Sequence, residues 1–320
     1  MVFTFQNNDE NYECYAHSIE QLENGSFKAA LEVASAFFAQ IIGKGGQTKV
    51  RLENDTKTKI NIPRKGKDGD IIVTGPSRTG VAVAANRIDV IVATARQRQP
   101  FTHFLSIPVN TGPVQENFLN FKRDVLETLD EVYGLDETIF QTETLLHLTV
   151  GTMALLDQRE RDLARDLLTD CQESVIQPLL QGGSLEFSIE GLEIMNDDPA
   201  DVDVLYGKVR DESGILQNIV DGIVEKFVQS GLMRREYDRV KLHATLLNTL
   251  FRRDQGDLGD RDRKERESFD ARALLDRFSE LSLGRVSLTE LHLSQRRAGR
   301  RTNSGYYLPS AVLSINSCSS

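Results

Sequence analysis

The chain has 320 residues and a net charge of −10, with 39% hydrophobic and 27% charged residues. Its length is about twice that of a usual domain, so two domains are expected, and its composition excludes disordered and fibrous classes. No run approaches the roughly 18 consecutive apolar residues of a membrane span, and the start MVFTFQNNDENYEC lacks a basic-then-apolar leader, so no membrane partner is expected.

Cys14, Cys171 and Cys318 lie too far apart for a disulfide framework or a CxxC metal site, and a reducing compartment is expected. Charge is distributed unevenly. Residues 1–24 carry five acids and no Lys or Arg, residues 25–99 carry 13 basic against 6 acidic side chains, and residues 100–320 carry 25 against 37. A basic module attached to a larger acidic one confines polyanion binding to one region.

In chain order, residues 1–24 read as an acidic, loosely ordered tail. Residues 25–99 read as strand, helix, helix, strand, strand, helix. A strand spans 27–33, and Ser35 caps a helix over 36–42. The break Gly43-Lys44-Gly45-Gly46 is followed by a helix over 47–54. Strands at 59–62 and 71–73 precede a helix that Ser77 caps and that runs to about residue 98. Gln99-Pro100 marks the boundary and leaves almost no linker, so a fixed or semi-fixed arrangement of the two domains is expected.

Residues 100–320 open with a strand at 104–109, a helix at 114–129 and a strand at 145–150. A long helix over 157–180, strands at 185–190 and 202–209, a helix at 216–228 and a strand at 240–247 follow. The charged stretch 252–270 reads as a solvated loop. Strands at 285–294 and 308–315 flank a turn at 300–305. Without strict βαβ alternation, the expected class is α+β.

A G-x-x-G turn between two short helices brings backbone N–H groups and a helix N-terminus together, a geometry that receives phosphate oxygens. Glycine permits the tight turn and the close approach of a sugar-phosphate chain. The candidate nucleic-acid-binding residues are Ile42, Gly43, Lys44, Gly45, Gly46 and Lys49. With Leu52, Thr56 and Ile60-Asn61-Ile62-Pro63 around it, residues 27–98 resemble a eukaryotic-type KH domain. That resemblance implies a grip on about four nucleotides of single-stranded RNA, with single-stranded DNA left open. Lys49 stands where that family usually has an apolar residue, and Lys57 at a turn position often filled by Gly.

Two histidines share one context, Leu146-His147-Leu148-Thr149-Val150 and Leu242-His243-Ala244-Thr245-Leu246. In a strand, residues i and i+2 face one side, so each His shares a face with its Thr. A single such strand is commonly a satisfied core histidine; two of them suggest related halves facing across a cleft. Two imidazoles can act as acid and base in phosphodiester chemistry while the hydroxyls steady the phosphate oxygens. No His or Cys pair has zinc-ligand spacing, so neither metal nor cofactor is expected. His147, Thr149, His243 and Thr245 are the candidate catalytic residues.

Over roughly 101–320 this pattern resembles the two-histidine phosphoesterases, including their 2′,5′ RNA ligase-like branch. The resemblance implies a bilobal pseudo-symmetric fold and substrates such as 2′,3′-cyclic phosphates or 2′,5′ linkages at RNA ends. His292-Leu293-Ser294 is a weaker third match. It reads as bordering the pocket with Arg296 and Arg297 near phosphate, or as a surface strand end. The KH and two-histidine pairing, with residues 195–199, 202–206 and 241–245, resembles a family of nuclear proteins over about 25–297. Membership implies a complex with a large helicase subunit and other subunits, transcription coactivation and alkylation-damage repair. Both a phosphodiesterase and a non-catalytic adaptor remain open readings.

Overall fold

The structure is a computed structural model, which describes residues 17–64, 69–129, 131–254, 266–297 and 301–315. It contains two compact units: one built on the chain up to Pro100 with the segment Leu156–Glu160, the other on Phe101–Leu155 and Arg161–Ser320.

The first unit runs β1 (Ile19–Gln21), β2 (Phe27–Leu31), α1 (Phe38–Ile42), α2 (Gln47–Thr56), β3 (Lys59–Asn61), β4 (Ile71–Gly75) and α3 (Arg78–Arg96). A 3-10 turn, Ser35–Phe37, leads into α1, and Ala34 rather than Ser35 holds its N-cap position. The sheet is antiparallel in the order β1-β2-β4-β3. Val81, Ala84, Ala85 and Ile88 recur along one face of α3 and pack with Leu31, Ile41, Leu52, Ile60, Ile71 and Val73. The Ser77 hydroxyl accepts the Gly80 N–H and starts that helix.

The tail assigned to residues 1–24 is corrected at its end. Ile19–Gln21 pairs with Phe27–Ala29, and the His17 ring hydrogen-bonds Asp89 of α3. A three-residue strand with one apolar side chain carries little periodicity, so only the open edge of β2 reveals it. Residues 1–16 lie outside the described residues.

The chain continues with β5 (His103–Pro108), α4 (Gly112–Thr128), β6 (His147–Met153), α5 (Gln158–Cys171, of the second unit from Arg161 on), α6 (Gln177–Leu180), β7 (Glu186–Ile194) and β8 (Val204–Arg210). Then come α7 (Ile215–Gln229), β9 (His243–Asn248), α8 (Phe251–Asp254), α9 (Arg272–Arg277), β10 (Ser282–Ser287), β11 (Glu290–Gln295) and β12 (Pro309–Ser314). The eight strands of the second unit form one antiparallel sheet in the order β10-β7-β8-β9-β6-β5-β11-β12. The order divides into two four-stranded halves that meet at β9 and β6. Leu216, Ile219, Val220, Ile223 and Phe227 of α7 and Val114, Phe118, Phe121 and Val125 of α4 share a core with Leu105, Ile107, Leu148, Val150, Ala244 and Leu246.

Three expectations for this unit change. The long helix over 157–180 is interrupted by a π-turn at Gln172–Ile176, beside the close approach of Val175 to Gly222. The strand expected at 285–294 is two strands in opposite halves, β10 beside β7 and β11 between β5 and β12. Leu288-Thr289 carries no Gly or Pro to announce the break. The loop expected at 252–270 overlaps α8 at its start, and α9 follows it; residues 255–265 lie outside the described residues.

Candidate active site and nucleic-acid interface

In the first unit, α1 ends and α2 begins across Gly43-Lys44-Gly45-Gly46. Gly43, Gly45 and Gly46 all take positive φ, at 73°, 59° and 81°. At Gly43 a Cβ would also fall on the Thr48 hydroxyl, so only glycine fits. No side chain caps α2, and within the turn the Gln47 N–H donates to the Lys44 carbonyl and the Gly46 N–H to the Gly43 carbonyl. Lys44 is exposed at the tip, and Ile42 and Val50 expose apolar surface beside it. Val50 escaped the sequence reading because a single Val on a polar helix carries no signal. Lys49 lies 3.7 Å from Glu53, one turn along α2. Lys57 adopts φ 57°, so the turn expected to favour Gly does demand a left-handed residue there.

In the second unit, β6 and β9 share one ladder pair, Leu148 opposite Ala244. The antiparallel register therefore sets His147 opposite Thr245 and Thr149 opposite His243. Directly opposed residues share a face, so all four candidate side chains stand together on one side of the sheet. Leu148, Val150, Ala244 and Leu246 point the other way into the core. Further strands extend the row: Ser106 lies opposite Thr149, Tyr206 opposite Thr245 and Lys208 opposite His243.

Both imidazoles are held alike. His147 Nδ1 lies 2.7 Å from the Leu145 carbonyl, and His243 Nδ1 lies 2.7 Å from the Lys241 carbonyl. A carbonyl only accepts, so each Nδ1 carries the proton and each neutral ring presents an Nε2 lone pair. Around them the halves offer similar groups. His147 meets Phe104 at 5.2 Å and Tyr307 edge-on at 5.3 Å, with the Arg301 guanidinium 4.5 Å from the Tyr307 ring. His243 meets Tyr206 edge-on at 5.2 Å, with Lys241 Nζ 5.2 Å from that ring. Apart from Lys241, two residues before His243, these neighbours are not legible in the sequence, because Phe104, Tyr206, Arg301 and Tyr307 arrive from other segments of the chain.

Burial lowers the pKa of His147 to about 4, and the neighbouring His243 pushes it the same way. His243 is also lowered, by burial and by the Lys241 charge. Burial and the Glu193 carboxylate, which accepts the Tyr206 hydroxyl at 2.7 Å, raise the Tyr206 phenol. A cavity of about 310 Å³ opens beside His243 and Thr149, lined also by Thr152, Met233, Arg234 and Lys241.

His292 is not a surface strand end. It is buried in β11 opposite Ser106, with Nε2 2.8 Å from Glu290. Ser294 joins Ser106 at 3.0 Å, and Tyr306 donates to Ser106 at 3.0 Å. Arg296 stacks 4.0 Å over Phe101 and Arg297 is exposed. His103, also buried, lies between Thr102 and Ser310, and burial lowers it to about 4.

Across 294 residues the chain is 44% identical to "Activating signal cointegrator 1 complex subunit 1" of Mus musculus, covering 88% of this chain and 82% of that protein. The chain belongs to that family. Residues 101–315 match the AKAP7 2'5' RNA ligase-like domain, and residues 29–89 match the KH domain. The fold is thus an N-terminal KH domain followed by a phosphoesterase-like α+β domain, and the KH match supports RNA binding. Among solved structures, the first KH type I domain of human vigilin shares 23% identity over 29% of this chain and 96% of its own, with a TM-score of 0.23. A crystal structure of a phosphoesterase shares 15% over 68% of this chain and 99% of its own, with a TM-score of 0.38.

Proposed function

We propose that the chain is an RNA-binding phosphodiesterase in which the KH module holds single-stranded RNA and the paired histidines act on a phosphodiester at an RNA end. The observation that carries this reading is the pair of unblocked Nε2 atoms on facing strands, each ring fixed by the same Nδ1 contact and each opposite a threonine hydroxyl. One Nε2 takes a proton from water as its oxygen attacks phosphorus. The other imidazole, protonated, gives its proton to the departing ribose oxygen as the P–O bond breaks. Thr149 and Thr245 hydroxyls donate to the non-bridging oxygens as charge grows. The net reaction adds one water across the diester, and proton exchange with solvent resets the two rings.

Substrates suited to this site are a 2′,3′-cyclic phosphate or a 2′,5′ linkage. We further propose that the chain serves in the nucleus, with a helicase and other subunits of the activating signal cointegrator 1 complex, in transcription coactivation and alkylation repair; its likeness to a subunit of that complex supports this reading. The preference for RNA over single-stranded DNA rests on the KH and ligase-like matches.

One observation favours a second reading, in which the cleft binds phosphate without turnover and the protein recruits its complex. Both histidines are pushed toward neutrality, so a general acid exists only once a phosphate dianion or diester stabilises the imidazolium. The deciding experiment is turnover of short RNAs ending in 2′,3′-cyclic phosphate, 3′-phosphate or a 2′,5′ linkage, with EDTA present. Cleavage that either His147→Ala or His243→Ala abolishes supports the enzyme. Binding that depends on Lys44 with no cleavage of any RNA supports the adaptor.

A further inference from the structure

Each site histidine is anchored to a carbonyl two residues upstream, and the segment bearing that carbonyl is itself held by an amide side chain. In the first half Asn110, in the link between β5 and α4, donates from Nδ2 to the Thr144 carbonyl at 2.8 Å. In the second half Gln217, in the first turn of α7, donates from Nε2 to the Val240 carbonyl at 3.0 Å. Thr144 stands three residues before His147, and Val240 three residues before His243. Both amides come from the segment that follows a strand of their own half, β5 or β8. We propose that Asn110 and Gln217 are a matched pair of positioning residues that set the tautomer and aim of His147 and His243, with Asp221 completing the second.

A carbonyl points where the planar peptides on either side let it point. Holding the carbonyl of Thr144 or Val240 fixes the peptide plane that leads into Leu145 or Lys241. Only the φ and ψ of that one residue still turn the carbonyl that accepts the imidazole N–H, and at Lys241 the Leu242 N–H, 3.1 Å from the Val240 carbonyl, restrains these too. A neutral amide does this without placing a negative charge beside a phosphate site. The two halves differ in how much more support they need. Residues 143–145 form a 3-10 turn whose Leu145 N–H reaches the Thr142 carbonyl at 2.9 Å, and the Leu146 carbonyl accepts the Val109 N–H at 3.1 Å.

The segment before His243 is irregular, and there a carboxylate takes over. Asp221 lies one turn after Gln217 on the same face of α7. Its Oδ1 accepts the Val240 N–H at 2.8 Å and the Gln217 Nε2–H at 2.9 Å, and its Oδ2 accepts Arg239 Nε at 3.1 Å. The two peptides flanking the Val240 Cα are thus held, one through the Val240 N–H and the other through the Val240 C=O, and Arg239 offsets the Asp221 charge.

The proposal rests on the two-histidine reading for its catalytic consequence, while the tautomer is measurable whether or not the protein turns over RNA. The test is long-range ¹⁵N–¹H NMR of the imidazoles in the full chain at neutral pH, with Asn110→Asp and Gln217→Glu as near-isosteric losses of the donor. Asn110→Asp is expected to shift the Nδ1–H to Nε2–H ratio of His147 by about fivefold, the equivalent of one hydrogen bond, and to leave His243 as it was. Gln217→Glu is expected to do the reverse, and Asp221→Asn to move His243 less.

Should an added carboxylate prevent folding, Asn110→Ala and Gln217→Ala remove the donor without placing an acceptor against the carbonyl. Unchanged tautomers, or equal shifts at both histidines in every variant, would overturn the proposal. Wild-type protein with the stated tautomers but no turnover would instead count against the enzymatic reading and leave the positioning role standing.

Discussion

In the half of the sheet built around β6, His147 is enclosed by Phe104 and Tyr307. In the half built around β9, His243 meets Tyr206 and Lys241 and borders the open cavity. The two rings nevertheless share one tautomer, because each donates Nδ1–H to the carbonyl two residues before it. What differs is the degree of enclosure: two aromatic rings around His147, and one ring with an open cavity beside His243. The tautomer thus follows from one backbone contact repeated in both halves, whereas proton affinity is set by what the rest of the fold packs around each ring.

The sharpest way to break this comparison is to remove one histidine at a time. His147→Ala and His243→Ala are each expected to lower single-turnover cleavage of the RNA substrate by about 10²–10⁴-fold. A loss confined to one of them would mean that the halves are alike in shape only.

The next effect concerns acid stability. His103 and His147, both in the β5–β6 part of the sheet, have folded pKa values near 4, below the ordinary 6.5. The unfolded chain then binds the extra protons first, so stability is full above about pH 6.5 and falls as pH drops toward 4. For His103, which is 6% exposed, the loss across that window is about 3 kcal/mol. Urea midpoints measured from pH 7 to 4 should fall less steeply in His103→Asn. An unaltered slope would place the acid sensitivity elsewhere.

A smaller effect separates the aromatic neighbours. Tyr206→Phe removes the hydroxyl bond to Glu193 and is expected to cost about 1 kcal/mol in chemical denaturation, leaving the His147 titration in place. Tyr307→Ala should raise the His147 pKa toward 6.5 in an NMR titration and leave His243 alone. Crossed effects would show that the two halves share one environment.

The smallest change lies in the other unit. Lys44→Ala should reduce the slope of log affinity against log salt for single-stranded RNA by about 0.7, one phosphate contact, with no change at either histidine. A steeper loss, or none, would remove Lys44 from the phosphate path.

Much of this architecture was legible in the residues. The Gly43–Gly46 turn forces its own reading, since positive φ and the closeness of Thr48 exclude a side chain at Gly43. The four site side chains follow from a period of two, which sets His and Thr on one face and Leu or Ala on the other. Less legible was the identity of short or late strands. β1 has one apolar residue, and β10 and β11 run together without a breaker, so only their ladder partners separate them. His292 looked like a strand end because the strand beyond it, β12, lies across a turn in sequence but beside it in space.

The sequence by itself determined the tight glycine turn, the alternation that aims His147, Thr149, His243 and Thr245, and the basic character of the first module. These are properties of a few consecutive residues and of local sterics. Only the tertiary structure decided that β6 and β9 lie side by side in the register that opposes each histidine to the other's threonine. The same holds for Phe104, Tyr206 and Tyr307 against the rings, and for Asn110, Gln217 and Asp221 behind them. Those contacts join residues tens to more than a hundred positions apart, where burial and hydrogen-bond satisfaction over the whole sheet, rather than any local preference, select the partner.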